Sequence, residues 1–483
     1  MAIAAAVSSN DLLKGVPEIV LRELPKIKSM FTINRETLRT VTDKFVTELE
    51  NGLSSHENEI PMNITWATGR PTGQEQGTFI TIDLGGMNLR VCKVELTEEL
   101  GGYEITQRKF KLPVQLRQGT VDDLWALIAD KLEEFLESQH ITEGTEALPL
   151  AFTLSYPVTQ DNIRHGVLQC WTKGFNISGV EGHDVVAQLE HVIAQRNLPV
   201  KIVALVNDTT GTLMATAYKD PQVKIGSIFG TGCNAAYMAD CGSIPKIASY
   251  GLPAGKEMAI NTEYGAFDNS HSVLPRNMFD KAIDSTLPRP GQQTYEKMVT
   301  ALYPGELVRL IMFHLHHTTG LFAGCDLSRH DCIHSMESSF LSAMESEPLD
   351  SMEETRALFR EQFDIEPKIQ ELKICRLVAE IVSTRAARLY ACGIAAICKR
   401  KGIESCHVAM DGSAFSKYLL FGERAAAALR EILDWPYASK DLVTLRPAED
   451  GSAIGAALIA AFTSSYLVFS IRSFYDLTST NQN

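Results

Sequence analysis

Residues Lys201–Asp220 read KIVALVNDTTGTLMATAYKD, and the rest of the chain is organised around them. Ile202 to Val206 form a short apolar run with β-branched members, the pattern of a buried strand. The run stops at Asn207-Asp208. Thr209, Thr210 and Gly211 follow, and then Leu213, Met214 and Ala217 recur at helical spacing. Asp208 is therefore expected at a strand end, where a helix begins. In open α/β sheets ligands bind beyond the carboxyl ends of strands. The competing reading is a helix cap, with the Asp208 carboxylate accepting orphan backbone N–H groups. The segment by itself leaves both open.

Two similar units flank it. Thr78–Leu84, TFITIDL, and Leu89–Leu96, LRVCKVEL, read as strands joined by Gly85-Gly86-Met87-Asn88. Lys224–Phe229, KIGSIF, and Asn234–Ala239, NAAYMA, read as strands around Gly230-Thr231-Gly232-Cys233. The halves around Asp208 thus repeat in plan, although their sequences are not alike. Glycine tolerates a positive φ in tight turns. Successive backbone N–H groups in such turns form an anion-binding concavity. Either turn alone would pass as an ordinary hairpin. Gly230 to Ala235 also matches a GxGxxA dinucleotide fingerprint, but that fingerprint must open a helix and NAAYMA is strand-like. Gly251 to Lys256 is one residue short of a Walker A loop, with Glu257 where Ser or Thr is needed.

Elsewhere, Leu12–Asn51 has helical spacing, Gly52–Gln76 reads as loop, and Val121–Glu137 as an amphipathic helix. Pro149–Ser155 is an expected buried strand, Trp171–Phe175 a loop and Glu181–Gln195 a helix. Gln292–Met312 and Ile369–Ile397 are expected helices. Cys406–Met410 is a strand entering Asp411-Gly412-Ser413, and Ala448–Gly455 a turn before an Ala-rich helix. Strands and helices alternate over two regions, so the class is α/β with two lobes.

The net charge of −14 argues against a surface-wide attraction to nucleic acid or anionic membrane, though a local basic pocket for a phosphate ligand is compatible with it. The 10 cysteines include no CxxC pair, so reduced thiols in a cytoplasmic protein are expected. The N-terminus lacks a basic region and a long apolar run, the marks of a secretory signal. Ile454–Ile471 carries no charge but is interrupted by Thr463, Ser464 and Ser465. It reads as a buried helix with a strand-like end rather than a membrane span. His314, His316 and His317 lack zincin-type carboxylate spacing, so a solvated helix face is expected there. Glu263 and Glu296, taken singly, read as surface charges.

The motifs DLGGMNLRV, LSYPVTQ, WTKGF, VNDTTGTLMA, IFGTGCNAAY, NTEYGAF, PGQQTYEKM and STRAA assemble into a family pattern. From about Leu12 to about Ala460 the chain resembles the eukaryotic hexokinase/glucokinase family, and it looks closest to fungal glucokinases. The resemblance implies an actin-like ATPase (ribonuclease H-like) fold with a cleft between two lobes. Residues 77–210 with 456–483 would form the small lobe, and 1–76 with 211–455 the large one. It implies transfer of the γ-phosphoryl group of ATP to the 6-hydroxyl of glucose, with Mg²⁺. The choice between glucose and other hexoses stays open, as does the oligomeric state.

By position in those motifs, Asp208 is expected as the general base. Ser155, Thr172, Lys173, Asn207, Asp208, Asn234, Glu263 and Glu296 are expected in the sugar pocket. Asp83, Gly85, Gly86, Asn88 and Arg90 are expected in the first phosphate loop, and Thr231 and Gly232 in the second. Lys173 would also meet the transferring phosphoryl group. Ser383, Gly412 and Ser413 would lie at the nucleotide end, and Asp83 and Asp208 would serve Mg²⁺, directly or through water. The chemistry agrees with this. A fixed carboxylate can take the proton of an attacking hydroxyl, and a lysine with backbone N–H groups suits phosphoryl charge.

The chain departs from the family pattern at Met87, where the family has Thr, and at Ala453 and Ile454. Beyond about Thr463 the likeness stops. A sugar-sensing protein with weak or no catalysis is the second reading, supported only by Met87 and Ala453. A nicotinamide oxidoreductase would rest on GTGCNA alone. Met87 offers phosphate only a weak sulfur acceptor. The expected consequence is a raised KM for ATP that Met87→Thr lowers. Unchanged kcat and KM in that variant would place the side chain away from the nucleotide.

Overall fold

The computed structural model describes residues 15–463, apart from 56, 87, 143, 145, 173, 174, 288, 326, 328–335, 413, 414, 416, 417, 419, 437–439, 449 and 450. Met87, Lys173, Ser413 and the tail from 464 onward therefore lie outside the described residues. The strands are β1 (Asn63–Thr68), β2 (Gly77–Leu84), β3 (Asn88–Leu96), β4 (Tyr103–Lys111), β5 (Leu148–Leu154), β6 (Val158–Asn162), β7 (His165–Leu168), β8 (Val200–Val206), β9 (Val223–Phe229), β10 (Cys233–Asp240), β11 (Glu257–Asn261), β12 (Cys406–Asp411) and β13 (Val443–Pro447). They form a five-stranded sheet of order β4-β3-β2-β5-β8, a six-stranded sheet of order β1-β11-β10-β9-β12-β13, and a β6–β7 hairpin.

β2, β5 and β8 run parallel. Parallel strands covered on both faces read as continuous apolar runs, which is why β5 and β8 carry so little polar alternation. Side chains alternate between faces. Ile80, Ile82 and Leu84 of β2 pack under helices Val121–Ser138 and Val185–Gln195. The opposite face carries Phe79 and packs with the helices Asp208–Lys219 and Gly451–Thr463. Ala236, Met238, Ala259 and Ala409 of the second sheet join that same core, so it ties the two sheets together. The far face of the second sheet packs on helices Arg35–Ser54, Ile369–Lys401 and Phe421–Ile432.

Both flanking units are antiparallel hairpins, with Leu84 opposite Leu89 and Phe229 opposite Cys233. β1 lies inside the stretch read as loop. It pairs with β11, and this non-local pairing leaves little trace in its own sequence. The expected helix Gln292–Met312 is two helices, Thr294–Val299 and Pro304–Thr319, with Pro304 opening the second. The final helix begins at Gly451, within the stretch read as a turn. At Gly455 a Cβ would stand 1.9 Å from the carbonyl oxygen of Gly211, so helices 451–463 and 208–219 cross backbone to backbone. Ala453 and Ile454 are buried in the shared core, which makes their departure from the family pattern a packing feature.

Ile369–Lys401 is the one described helix long and apolar enough to cross a membrane, and 89% of its apolar stretch is buried inside the protein. His314 lies on Pro304–Thr319 and meets Glu23 at 3.2 Å. Among the described residues no group of His, Cys, Asp or Glu is arranged to hold a metal by itself.

Candidate active site

The three parallel strands end on one side of the first sheet. Asp83 is the penultimate residue of β2, Ser155 follows β5, and Asn207-Asp208 follows β8. Asp208 opens the helix as its first residue, and Asn207 is the cap: its Oδ1 accepts from Thr209 N at 2.9 Å. The cap position falls one residue earlier than the sequence suggested, and Asp208 Oδ1 accepts from the same Thr209 N at 2.8 Å. Asp208 is half-buried and lines a cleft of about 1590 Å³ together with Asp83, Ser155, Thr172 and Glu296.

The loop bearing Thr172 is set from beneath. Trp171 packs edge-on against Tyr156 at 4.8 Å between ring centres and stacks on Phe175 at 5.6 Å. Its indole N–H donates to the Ile177 carbonyl at 3.0 Å, and its backbone N–H donates to Glu181. Burial pushes the Tyr156 phenol well above its usual range, and the negative charge of Asp208 adds to the effect while Arg117 opposes it.

Asn207, Asn234 and Glu263 stand beside these groups in one hydrogen-bonded cluster. Glu263 Oε1 accepts from Asn234 at 2.9 Å and from Asn207 at 3.5 Å. Glu263 sits in left-handed backbone (φ 54°), and its N–H donates to Asn234 Oδ1 at 2.9 Å. Glu296, on Thr294–Val299, accepts from Cys233 N at 3.1 Å. The cluster also contains Asn261, which the sequence reading did not assign. Its neighbour two positions on, Glu263, was the available signal.

Both glycine turns line the cleft, through Gly85, Gly86 and Asn88 from one sheet and Gly230, Thr231 and Gly232 from the other. Gly85 N donates to Asn88 O at 3.0 Å, and Gly230 N to Gly232 O at 3.0 Å. Neither Gly85 nor Gly230 needs a positive φ, contrary to the expectation for these turns. Instead, an added Cβ on Gly230 would meet no atom within 4 Å, so glycine keeps open space beside the turn's backbone. Arg90 pairs with Asp83 Oδ2 at 2.9 Å, and Ser452 donates to the same oxygen at 2.7 Å. Ser452 was not foreseen, since it lies in the stretch read as a turn, where the structure has the start of helix Gly451–Thr463. Asp411, at the end of β12, is a third carboxylate in this field. Burial raises its carboxyl above the usual range, and the charge of Asp208 adds to that.

Gly412 takes φ 125°, and a Cβ there would lie 2.1 Å from the Phe229 carbonyl oxygen, so the ends of β9 and β12 close together only with glycine. Ser383 is buried at the same end of the cleft. Its hydroxyl donates to Glu345 at 2.6 Å and accepts from Arg424 at 2.6 Å. Tyr418 donates to the same Glu345 oxygen at 2.6 Å.

A cleft between two sheets, with strand-end carboxylates and one glycine turn from each sheet, is the architecture of a two-lobed phosphotransferase of the actin-like ATPase fold. Two family models described as hexokinase match residues 23–218 and 224–462. A hexokinase of Emericella nidulans is 51% identical over 94% of each chain. Hexokinase-2 of Saccharomyces cerevisiae is 45% identical over 93% of each. Among solved structures, the hexokinase from Schistosoma mansoni complexed with glucose has a TM-score of 0.83 and 33% identity, covering 94% of this chain and all of that one. The chain belongs to the hexokinase family and is a sugar kinase. These matches lend no support to a non-catalytic sensor.

Proposed function

We propose that the chain moves the γ-phosphoryl group of ATP to the 6-hydroxyl of glucose, the entry step of glycolysis. The observation that carries this reading is Asp208, half-buried at the carboxyl end of β8 in a cleft that both glycine turns also line. Asp208 is the general base: its carboxylate takes the proton as the hydroxyl oxygen attacks. Ser155, Thr172, Lys173, Asn207, Asn234, Glu263 and Glu296 hold the sugar. Their amides, hydroxyls and carboxylates supply the donors and acceptors that a ring of hydroxyls needs. The backbone of Gly85, Gly86, Asn88, Thr231 and Gly232 faces the phosphates, while Arg90 and Lys173 carry positive charge to them. Ser383, Gly412 and Ser413 bound the nucleotide end.

Asp83 and Asp208 offer hard oxygen donors of the kind that bind Mg²⁺ through one or two carboxylates plus phosphate oxygens. When bound, Mg²⁺ neutralises phosphate charge. Asp83 already carries Arg90 and Ser452 on Oδ2, which suits contact through water better than direct ligation.

Residues 77–210 with 456–483 form the moving small lobe in this reading, and the remainder the large one. Ser155, Thr172 and Lys173 then touch the sugar from one side and Glu263 and Glu296 from the other. Sugar binding favours the closed state, which excludes the water that would otherwise accept the phosphoryl group. A cytoplasmic location is part of this reading, and the free thiols of the described cysteines are compatible with it.

ADP release coupled to a panel of glucose, fructose and mannose with Mg-ATP tests the activity and ranks the sugars. No ADP release with any hexose overturns the reading. A strong preference for glucose supports the narrower glucokinase likeness. Small-angle scattering tests closure: the radius of gyration should fall when glucose is added, and an unchanged radius argues against two mobile lobes.

A further inference from the structure

Three side-chain amides converge on a single carboxylate oxygen. Glu263 Oε1 accepts from Asn261 Nδ2 at 2.8 Å, from Asn234 Nδ2 at 2.9 Å and from Asn207 Nδ2 at 3.5 Å. Asn207 and Asn234 belong to the proposed sugar pocket, but Asn261 has no role assigned to it. It is the last residue of β11 and is 1% exposed. Its side chain is committed on both ends. Oδ1 accepts from Asn234 Nδ2 at 2.8 Å and lies 3.3 Å from Thr209 Oγ1, whose single proton it shares with the closer Asn207 Oδ1, while Nδ2 goes to Glu263. Thr209 follows Asp208 directly, so Asn261 is bonded both to the helix start that bears the proposed base and to the carboxylate of the sugar pocket.

Glu263 needs such support. Its left-handed backbone is uncommon for a residue with a Cβ and persists only where the surroundings over-determine it. Donors on a carboxylate oxygen also favour the ionised, acceptor-only form. A sugar hydroxyl then finds an acceptor at a fixed place.

We propose that Asn261 is a positioning residue for sugar recognition: its amide N–H fixes the orientation of the Glu263 carboxylate as an acceptor, without touching the sugar. This rests on the reading of Glu263 as a sugar ligand. Cys170 and Cys233, on β10, both feel the charge of Glu263, and Arg289 and Glu181 also act on Cys170 while Glu296 acts on Cys233. Burial raises both thiols, and the charge of Glu263 raises them further.

Asn261→Asp is the decisive variant. It keeps the size and the acceptor oxygen but replaces the N–H donor with an oxygen facing Glu263. Two carboxylates so placed cannot both ionise easily, and one proton is shared between them. At alkaline pH the glucose KM should rise roughly ten- to a hundredfold, with the ATP KM moving by less than about twofold. On acidification the glucose KM should recover, because the shared proton restores an O–H donor. The wild type should show no such recovery. Asn261→Ser, too short to reach Glu263, covers failure of the first variant to fold and should raise the glucose KM without pH recovery. Glu263→Gln separates the two layers. If it leaves the glucose KM at the wild-type level, the sugar-ligand reading itself fails. If it raises that KM while folded Asn261 variants keep the wild-type value, the role of Asn261 is overturned. Equal loss for glucose and ATP in Asn261→Asp, with no recovery on acidification, makes Asn261 a packing residue and overturns the proposal as well.

Discussion

Asp83 and Asp208 end two strands that run the same way in one sheet, with β5 between them. Their surroundings differ. Asp83 is 9% exposed, and its Oδ2 holds both the Arg90 guanidinium and the Ser452 hydroxyl. Its charge is balanced within the protein, and it ties the β2–β3 turn to the helix Gly451–Thr463. Asp208 instead begins a helix, where the positive end of the helix macrodipole favours an anion. Asn207 caps the helix by accepting from Thr209 N at 2.9 Å, and the same N–H also reaches Asp208 Oδ1 at 2.8 Å. A strand-end carboxylate is thus not a role in itself. Its neighbours decide whether it is held in an ion pair, as Asp83 is, or set at the start of a helix, as Asp208 is.

Substitutions at the two positions should separate cleanly. Asp208→Asn should lower kcat by roughly 10²–10⁴ while glucose binding, followed by tryptophan fluorescence, stays measurable. A wild-type kcat would put the base elsewhere and erase the contrast. Asp83→Asn should act mainly on the nucleotide, raising the KM for Mg-ATP roughly tenfold through the weakened pair with Arg90. If it depresses kcat as far as Asp208→Asn does, the two carboxylates share one role and the comparison breaks. The smallest effect is expected for Ser452→Ala, which removes one of the two donors on Asp83. Urea unfolding should report a loss of about 1–2 kcal/mol, with an ATP KM well short of the Asp83→Asn value. An unchanged midpoint would mean that Arg90 alone holds Asp83.

The elements legible in the sequence are those whose signals are local. The β8 strand and the helix after it, the two glycine hairpins and the long Ile369–Lys401 helix all follow from periodicity within a few residues. β1 was hidden because its strand character comes from pairing with β11, nearly two hundred residues away, for example Asn63 opposite Asn261. The site divides in the same way. Asp208 stands out from its strand-to-helix position, and Glu263 and Glu296 only from family motifs. Asn261 and Asp411 carried only a weak local signal, a nearby motif glutamate and a strand end, while Ser452 carried none because its partner Asp83 lies far away in the chain.

The amino-acid sequence by itself determined the alternation of strands and helices, the two turns and the family motifs, since short-range sterics and hydrophobic period are written residue by residue. The tertiary structure decided which carboxylate is paired with an arginine and which begins a helix beside the cleft. Ser452 and Asp83 are separated by 369 positions and meet at 2.7 Å, and Glu263 accepts amides from Asn207 and Asn234, 56 and 29 positions away. Electrostatic character depends on distance and burial rather than on order along the chain, so it exists only once the segments have packed.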